Sequence, residues 1–408
     1  MKDVNEFINV ISEIRNIEKP DVILGIDGDL EKCIVTCIIK DENYESNEDD
    51  LDHDDFKPTG QKRVLTLARV DGVPETRKNV EILLTSLNLP EVEANFQLVC
   101  DLKLANIILG IQSCSALHSC PYCEGVKIDR NNKPTNGRGR WKPGSLRTGG
   151  SISANSSNWA QTTNSDRKQL KFHNSCEFGP VPLRKDQQDL AVLFLLPPDP
   201  LHINLLGCGN DALECLEKHC PDQMKLFYKK HNLKKSGEGP GGKFNGPSIK
   251  YVLRDEVLSE LEENLPEIFS PFFSYFRSIS SLHFLCTARE LEDYNLVIHD
   301  FKVNFDYLFD NFGLNMSLKV HIILDHYKEY FDLAGKTLRH TNGEFVESSH
   351  YSIKNEDRTH GFKIKRVIGT PLHREKALKS IIWHNSKRAG YTPPSQFKLK
   401  SSPLNISF

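Results

Sequence analysis

Three carboxylates are the side chains best suited to metal-assisted chemistry in this 408-residue chain. They are Asp27 in VILGIDGDL, Asp101 in QLVCDLKLA and Glu347 in GEFVESSHY. Phosphodiester cleavage needs cations about 3.5–4 Å apart that stabilise the attacking and leaving oxygens, and carboxylate oxygens suit Mg²⁺. We therefore predict a two-ion site in which Asp27 bridges both ions and Asp101 and Glu347 each complete one side. Nearby acids that could replace one of the three are Asp29, Glu344 and Asp325.

A second set of residues has the spacing of zinc ligands: Cys120 and Cys123 in CPYC, and His321 and His326 in HIILDH. Cys-x2-Cys is half of a common tetrahedral site, although two buried thiols in a turn are an alternative. Five residues along an α-helix turn two side chains about 140° apart, so both imidazoles reach one ion only near a helix end or with splayed rotamers. HIILDH lacks the Glu of HExxH metalloproteases, so we expect a structural zinc. Alternative ligands beside CPYC are Cys114 and His118.

The composition is that of an ordinary globular protein, with 26% charged and 38% apolar residues. The longest apolar run, at 190–196, is too short to span a bilayer, so we expect no membrane segment. The opening MKDVNEFINV has no apolar signal region, which predicts a reducing compartment. There, the eleven cysteines favour free thiols and metal ligands over disulfides.

The net charge of −3 conceals an uneven distribution. Residues 124–185 contain twelve Lys and Arg against four acids, and residues 354–408 contain twelve against three. Basic surface beside an acidic remainder suits a protein that meets a polyanion with part of its surface. Solvated loops and a basic tail are the alternative interpretation of the same charges.

The amino-terminal pattern predicts an α/β domain. Strands are expected at 21–27, 31–40 and 63–70, a helix after Pro74 that stops at Pro90, and a fourth strand at 94–101. This order is that of the ribonuclease-H-like domain, with one acid ending the first strand and another ending the fourth. The nine acids at 41–55 predict a loop between strands.

The remaining chain is expected to be largely helical. We predict a helix at 102–112, a flexible basic loop at 127–166 and buried strand material at 190–207. Further helical spacing occurs at 210–231, 253–263, 271–289, 293–312 and 318–333, and a helix followed by a basic tail is expected after 347.

Several of these motifs together resemble the catalytic core of the recombination-activating (RAG-type) recombinase, large subunit, and its Transib-like transposase relatives. IDGDLE around Asp27 resembles that family's Asp-Gly-x-Gly-Asp segment, although the second Gly is absent. Asp101 lies nineteen residues before Cys120, as the family's second acid lies before its Cys-x2-Cys. The stretches PDPLHINLLGCGNDALECLEK, HNLKKSGEGPGGKFNG and EFVESS are similar to further family segments, and the last places the third acid at Glu347 rather than Glu344.

The resemblance covers about residues 21–390 and implies a DDE-type, ribonuclease-H-like core interrupted by a long, mostly α-helical, zinc-containing insertion. It also implies two Mg²⁺ (or Mn²⁺) ions held by Asp27, Asp101 and Glu347, one structural Zn²⁺, a homodimer, transposon or recombination-signal DNA as partner, and a nuclear location. In such enzymes water nicks DNA at an element's end, and the freed 3′-hydroxyl attacks a second strand.

The resulting division of the chain assigns 1–112 to the first part of the core, 113–185 to the cysteine half-site and basic loop, 186–335 to the insertion, 336–390 to the helix with Glu347, and 391–408 to a disordered tail. If the segment after Glu347 is helical, Lys354 and Arg358 share its face and could meet DNA phosphates; solvated basic residues are the alternative.

Only 26 residues precede Asp27, which predicts that the family's amino-terminal end-recognition and dimerisation region is missing. The alternatives to a transposase or recombinase core are a catalytically silent, zinc-stabilised DNA-binding protein derived from a transposable element, and a structure-specific ribonuclease-H-like nuclease.

Overall fold

The computed structural model describes residues 4–15, 17–28, 32–41, 64–71, 74–135, 137–162, 176–236, 242–288, 290–291, 293–347, 376, 378–382 and 385. Over these residues the fold is mixed α/β, with one small mixed sheet and a larger helical part. The α/β class predicted from the sequence is confirmed.

The sheet contains four strands in the order β3-β2-β1-β4. β2 runs antiparallel to both β1 and β3, whereas β4 runs parallel to β1. A helix before β1 and another between β3 and β4 complete this part of the chain. The bounds are α1 Val4–Arg15, β1 Pro20–Gly28, β2 Lys32–Asp41, β3 Leu65–Asp71, α2 Arg77–Ser86 and β4 Asn95–Val99.

Both faces of β1 are covered, which explains why its sequence is a nearly continuous apolar run. Residues 22–26 are all buried. Because successive side chains of a strand point to opposite faces, Val22, Leu24 and Ile26 enter the main hydrophobic core. Ile23 lies on the other face, in a smaller apolar cluster against which Phe345 packs.

A helix follows β4 directly and begins at the second candidate acid. Asp101 is the N-cap of α3, Leu102–Leu109, and its carboxylate accepts a hydrogen bond from the Leu104 amide at 2.7 Å. The helix ends at Gly110, whose φ of 71° lies in the left-handed region. A Cβ there would also lie 2.3 Å from the Phe178 carbonyl oxygen. Both the backbone conformation and this close contact therefore require glycine.

The basic segment after CPYC has regular structure, so the prediction of a flexible loop at 127–166 is wrong over its described part. It forms an antiparallel hairpin of β5, Val126–Ile128, and β6, Arg140–Lys142. The helix α4, Gly149–Gln161, follows, and Thr148 caps it through a reciprocal bond with Ser151. Short strands rich in Lys and Arg give no clear period, so only their tertiary contacts reveal them.

The prediction of buried strand structure at 190–207 is also wrong, because this stretch contains helical segments. It contains α5, Val192–Leu195, and a π-helical segment, Leu201–Gly209. The Asp199 carboxylate accepts a hydrogen bond from the Leu201 amide at 2.9 Å, which starts the second segment. Apolar runs of this length do not distinguish a buried strand from a buried helix, and the buried helix forms here.

Long helices make up the rest, and the helices predicted at 253–263, 271–289, 293–312 and 318–333 are confirmed within a few residues. No helix in the described part of the chain is long and apolar enough to cross a bilayer. The bounds are α6 Asn210–His219, α7 Pro221–Lys230, α8 Gly246–Val252, α9 Asp255–Glu263, α10 Ser270–Thr287, α11 Tyr294–Phe312, α12 Leu318–His321, a π-helical segment Ile322–Tyr327, and α13 Lys328–Ala334.

A short helical turn at 344–347 returns to the sheet and packs on β1 at a glycine. A Cβ on Gly25 would lie 2.3 Å from Val346 Cγ2 and 2.8 Å from both Phe345 Cε2 and Thr36 Oγ1. Real Cβ atoms do not approach other heavy atoms that closely, so glycine at this point allows the turn to contact the strand. The turn that carries Glu347 therefore packs on the face of β1 toward which a side chain at Gly25 would point.

We expect the substitution Gly25→Ala to destabilise the protein by about 1–3 kcal/mol, the usual cost of forcing extra volume into a packed contact. Thermal or urea unfolding of the purified chain measures this change. Gly179→Ala is the matched control, since a Cβ there meets no atom within 4 Å. Equal stability of the two variants would show that the turn does not need the close contact at Gly25.

Candidate functional site

Four buried ligand atoms from two distant parts of the sequence meet at one point. The Sγ atoms of Cys120 and Cys123 and the Nε2 atoms of His321 and His326 face one another, and all four side chains are at most 1% exposed. The ligand atoms of this group lie within 4.8 Å of one another. This group, which we call the Cys2His2 cluster, can bind a metal ion such as zinc.

The spacing inside the Cys2His2 cluster fits a tetrahedral ion. Cys120 Sγ lies 3.3 Å from His326 Nε2, and Cys123 Sγ lies 3.3 Å from His321 Nε2. The two Nε2 atoms are 3.2 Å apart. Zn–S bonds of about 2.3 Å and Zn–N bonds of about 2.0–2.1 Å at tetrahedral angles give ligand separations of about 3.6 and 3.3 Å. With four protein ligands and no exposed position, the site has the closed form typical of structural zinc.

A π-helical segment explains how two histidines five residues apart share one ion. Residues Ile322–Tyr327 form this segment inside an otherwise α-helical stretch. Its hydrogen bonds run from i to i+5, so residues five apart lie one turn apart on the same side. The difficulty posed by an α-helical His-x4-His, with imidazoles about 140° apart, therefore does not arise.

A fully buried arginine shapes the cysteine half of the cluster. Arg147 Nε donates to the carbonyl oxygens of Cys120 and Cys123, both at 2.9 Å, and Nη2 donates to the His118 carbonyl at 3.0 Å. Nη1 lies 3.2 Å from Cys176 Sγ. A buried guanidinium is costly unless its N–H groups are bonded, and here they hold the backbone of the CPYC turn.

Acids on the histidine-bearing helix orient the two imidazoles. Asp325 Oδ2 lies 2.6 Å from His321 Nδ1, and Glu329 Oε2 lies 2.6 Å from His326 Nδ1. A carboxylate bound to the far nitrogen fixes the tautomer and increases the basicity of the ligating nitrogen. Trp141 stacks on His321 with ring centroids 4.6 Å apart, which further limits its rotation.

The charges of the Cys2His2 cluster also favour a cation. Contacts from Cys120 and the two imidazoles hold the pKa of Cys123 well below its usual range, whereas burial raises the pKa of Cys120. Burial lowers the pKa of His326, but its contacts with Cys123 and Glu329 outweigh burial and raise it to about 9. A bound cation displaces the protons that these groups share.

The alternative zinc ligands beside CPYC are directed elsewhere. Cys114 is exposed, and Nδ1 of His118 lies 3.1 Å from the Glu124 carbonyl oxygen. Neither belongs to the Cys2His2 cluster. All four ligands that the spacing of the sequence selected are in it.

Two of the three candidate acids lie at the same edge of the sheet. The parallel ladder pairs Asp21 with Asn95 and continues to Gly25 and Val99. Asp27 and Asp101 each lie two residues beyond the last pair, at the same end of the two neighbouring strands. Asp27 projects from the face of β1 that Gly25 shares.

A further carboxylate, Glu75, lies beside these two acids. Burial raises the pKa of Glu75, its bond with Lys103 lowers it, and the charges of Asp101 and Asp27 raise it. Lys103, in the first turn of α3, pairs with Glu75. The carboxylates of Asp27, Glu75 and Asp101 thus concentrate negative charge at this end of the sheet. The ammonium group of Lys103 offsets part of that charge.

Glu347 approaches the same face from the turn at 344–347, and its Oε1 lies 3.5 Å from His202 Nε2. The alternative acid Glu344 is paired with Lys250 and lies 3.5 Å from His283 Nε2. Although burial raises the pKa of Glu344, these cations lower it to about 2. Asp325 is bonded to His321 instead, and Asp29 lies outside the described residues.

The oxygens of the three candidate acids are not drawn together as tightly as the atoms of the Cys2His2 cluster. Among the described residues, that cluster is the group of three or more His, Cys, Asp or Glu with ligand atoms close enough to hold an ion. Binding of Mg²⁺ by Asp27, Asp101 and Glu347 therefore stays a prediction. Lys354 and Arg358 lie outside the described residues.

Sequence reasoning missed several residues that organise both sites. Arg147 was counted only as part of a basic loop, and Glu75 was not singled out. Asp199 and His202 lie in PDPLHIN, a stretch noted only for its resemblance to a family segment. An Asp-Pro-x-His sequence that starts a helix was the available signal for the last pair.

Comparison of the chain with models of known protein families finds no match, and comparison with curated proteins finds none either. The site is therefore defined by its own geometry. It contains a closed Cys2His2 cluster and, separately, Asp27 and Asp101 at the same end of two neighbouring strands, with Glu347 in the turn that packs on β1.

We expect the purified chain to contain one zinc ion, and the variant Cys123→Ser to lose it and unfold at a lower temperature. Structural zinc contributes on the order of 10 kcal/mol to small zinc domains, so the loss should be large. Elemental analysis together with thermal unfolding measures both effects. Cys114→Ser, at an exposed thiol, should keep the metal. Wild-type protein free of zinc, with a stability unaffected by chelators, would contradict the assignment.

We expect Asp325→Asn to weaken zinc binding by about 10–100-fold, the usual effect of removing an acid that orients a ligating histidine. Competition with a chromogenic chelator measures the affinity. Asp332→Asn, on the following helix and paired there with Lys328, is the control. The same affinity in both variants would mean that the bond to His321 Nδ1 does not support the metal.

Proposed function

We propose that this chain is the catalytic core of a DNA transposase or recombinase that cleaves and joins DNA strands with two divalent metal ions. The observation that carries the proposal is the alignment of Asp27 and Asp101 beyond the parallel β1/β4 ladder, with the turn that bears Glu347 packed on β1. The three acids come from separate elements, and the proposed site requires their carboxylates to meet at one end of the sheet.

The topology of the sheet supports a ribonuclease-H-like core. Three antiparallel strands are followed by a helix and by a fourth strand parallel to the first, in the order expected for that domain. The first acid lies near the end of the first strand, and the second follows the fourth strand. The long helical stretch that separates Asp101 from Glu347 corresponds to the zinc-containing insertion.

The acids supply the chemistry that phosphodiester cleavage requires. Asp27, Asp101 and Glu347 would hold two Mg²⁺ or Mn²⁺ ions, which when bound stabilise the attacking and the leaving oxygens. Asp101 remains oriented because its carboxylate also caps α3 through the Leu104 amide. Glu347, with 48% of its side chain exposed, stays accessible to a cation and to DNA.

We further propose that a structural zinc in the Cys2His2 cluster fixes the relative positions of the elements that carry these acids. Cys120 follows Asp101 by nineteen residues, and His326 precedes Glu347 by twenty-one. A zinc ion that joins the two half-sites closes most of the long loop between the second and third acids. This closure lowers the entropy cost of bringing those two acids together. The zinc would thus act on catalysis through the backbone rather than at the reacting phosphate.

DNA is the proposed partner, and the basic residues of the β5–β6 region support it in part. Arg130, Lys133 and Lys142 are exposed and could meet phosphates. Arg140 instead pairs with Asp306 at 2.5 Å, and Arg147 is buried. These two arginines are therefore not available to contact DNA phosphates. A homodimer that holds paired DNA ends, in the nucleus, completes the proposal.

We expect the zinc-loaded chain to nick DNA in the presence of Mg²⁺ or Mn²⁺. Asp27→Asn, Asp101→Asn and Glu347→Gln should each lower the rate about 10²-fold or more, as loss of one electrostatic contact to developing charge does in other enzymes. Nicking of a supercoiled plasmid measures the rate. Asp21→Asn, six residues earlier on β1, is the control and should cleave normally.

The DNA products of this assay distinguish the proposed activity from the alternative functions. Transfer of a DNA 3′-end into a second duplex supports a transposase or recombinase, while nicking without transfer would indicate a structure-specific nuclease. DNA binding by folded, zinc-loaded protein that never nicks would contradict the proposed activity and would favour a silent DNA-binding protein.

A further inference from the structure

A histidine that the three-acid site does not include lies directly beside Glu347. His202 Nε2 is 3.5 Å from Glu347 Oε1, and its Nδ1 is 2.6 Å from Asp199 Oδ2. The imidazole therefore lies between two carboxylates, one buried and one half exposed. Such a bridge transmits the fixed position of the buried acid to the exposed one.

Asp199 is held rigidly by both segments that it joins. It is 3% exposed, and its Oδ1 accepts hydrogen bonds from the Leu201 amide at 2.9 Å and the Gly343 amide at 2.8 Å. A Cβ on Gly343 would lie 2.1 Å from Asp199 Oδ2, so the chain just before Glu347 packs directly on this carboxylate. Asp199 thus fixes the start of the 344–347 turn as well as the ring of His202.

The two ring nitrogens of His202 face one acid each. Burial lowers the pKa of His202, but the charge and hydrogen bond of Asp199 and the contact with Glu347 outweigh burial and raise it well above its usual value. Nε2 faces Glu347 Oε1. A separation of 3.5 Å is long for a strong hydrogen bond, so the contact leaves the carboxylate able to bind a cation as well.

We propose that His202 is a positioning residue, held by Asp199, that orients the carboxylate of Glu347 for binding a divalent cation. This inference rests on the proposed function, because it assigns a role to a residue beside the third acid. An exposed glutamate side chain has several rotamers to lose on binding a metal. An ordered carboxylate binds a cation with a smaller entropy cost.

The test measures Mn²⁺ binding to the full zinc-loaded chain by electron paramagnetic resonance, in parallel with nicking. Wild type should bind Mn²⁺ at a site that Asp27→Asn removes. His202→Ala should weaken this binding about tenfold or more, the usual effect of losing a group that orients a metal ligand. The Mn²⁺ concentration for half-maximal nicking should rise by a similar factor, with the KM for DNA unchanged within about twofold.

His202→Gln keeps an N–H donor near the position of Nε2 and should lose less affinity than His202→Ala. It also decides the test if the alanine variant loses zinc or unfolds early. His299→Ala, at an exposed histidine of α11, is the control. A purely structural role for His202 would lower stability without changing the Mn²⁺ affinity of the protein that remains folded.

The outcomes for the two proposals differ. If wild type binds Mn²⁺ through Asp27 and both His202 variants bind it equally well, the positioning role is wrong and the proposed function stands. If folded wild type shows neither Asp27-dependent Mn²⁺ binding nor nicking, the proposed function fails and the role of His202 fails with it.

Discussion

The buried convergence of two thiols and two imidazoles is the constraint on which the architecture depends. Polar groups removed from water are costly unless they find partners, and the ligand atoms of the Cys2His2 cluster face one another. A cation satisfies all four at once. Because about two hundred residues separate the two half-sites, their contact ties the helical part back to the segment that follows α3.

Close backbone contacts also hold the turn at 344–347 against the sheet. Gly25 admits the turn at 344–347 onto β1, and Gly343 admits the Asp199 carboxylate beside that turn. The same turn is tied by Glu344 to Lys250 on α8. These contacts fix the turn by packing and by charge together. A rigid support of this kind is what a site for chemistry requires.

The sequence predicted the parts that depend on local pattern. β1 to β4 and the long helices followed from runs of apolar residues, and the zinc ligands followed from Cys-x2-Cys and His-x4-His. It could not predict the π-helical segment, because the wider turn brings His321 and His326 to cysteines that lie far away in the sequence. The hairpin at 126–142 and the helix from Leu201 were missed for a similar reason. Their stability comes from partners such as Trp141 on His321 and Asp199 on Gly343, which lie far away in the sequence.

The most direct test of the central claim is a crystal structure of the zinc-loaded protein with Mn²⁺, phased to locate both metals by anomalous scattering. The account predicts a zinc peak among Cys120, Cys123, His321 and His326, and a manganese peak between the carboxylates of Asp27 and Asp101 with Glu347 turned toward it. An empty Cys2His2 cluster, or manganese bound anywhere but at these acids, would contradict it.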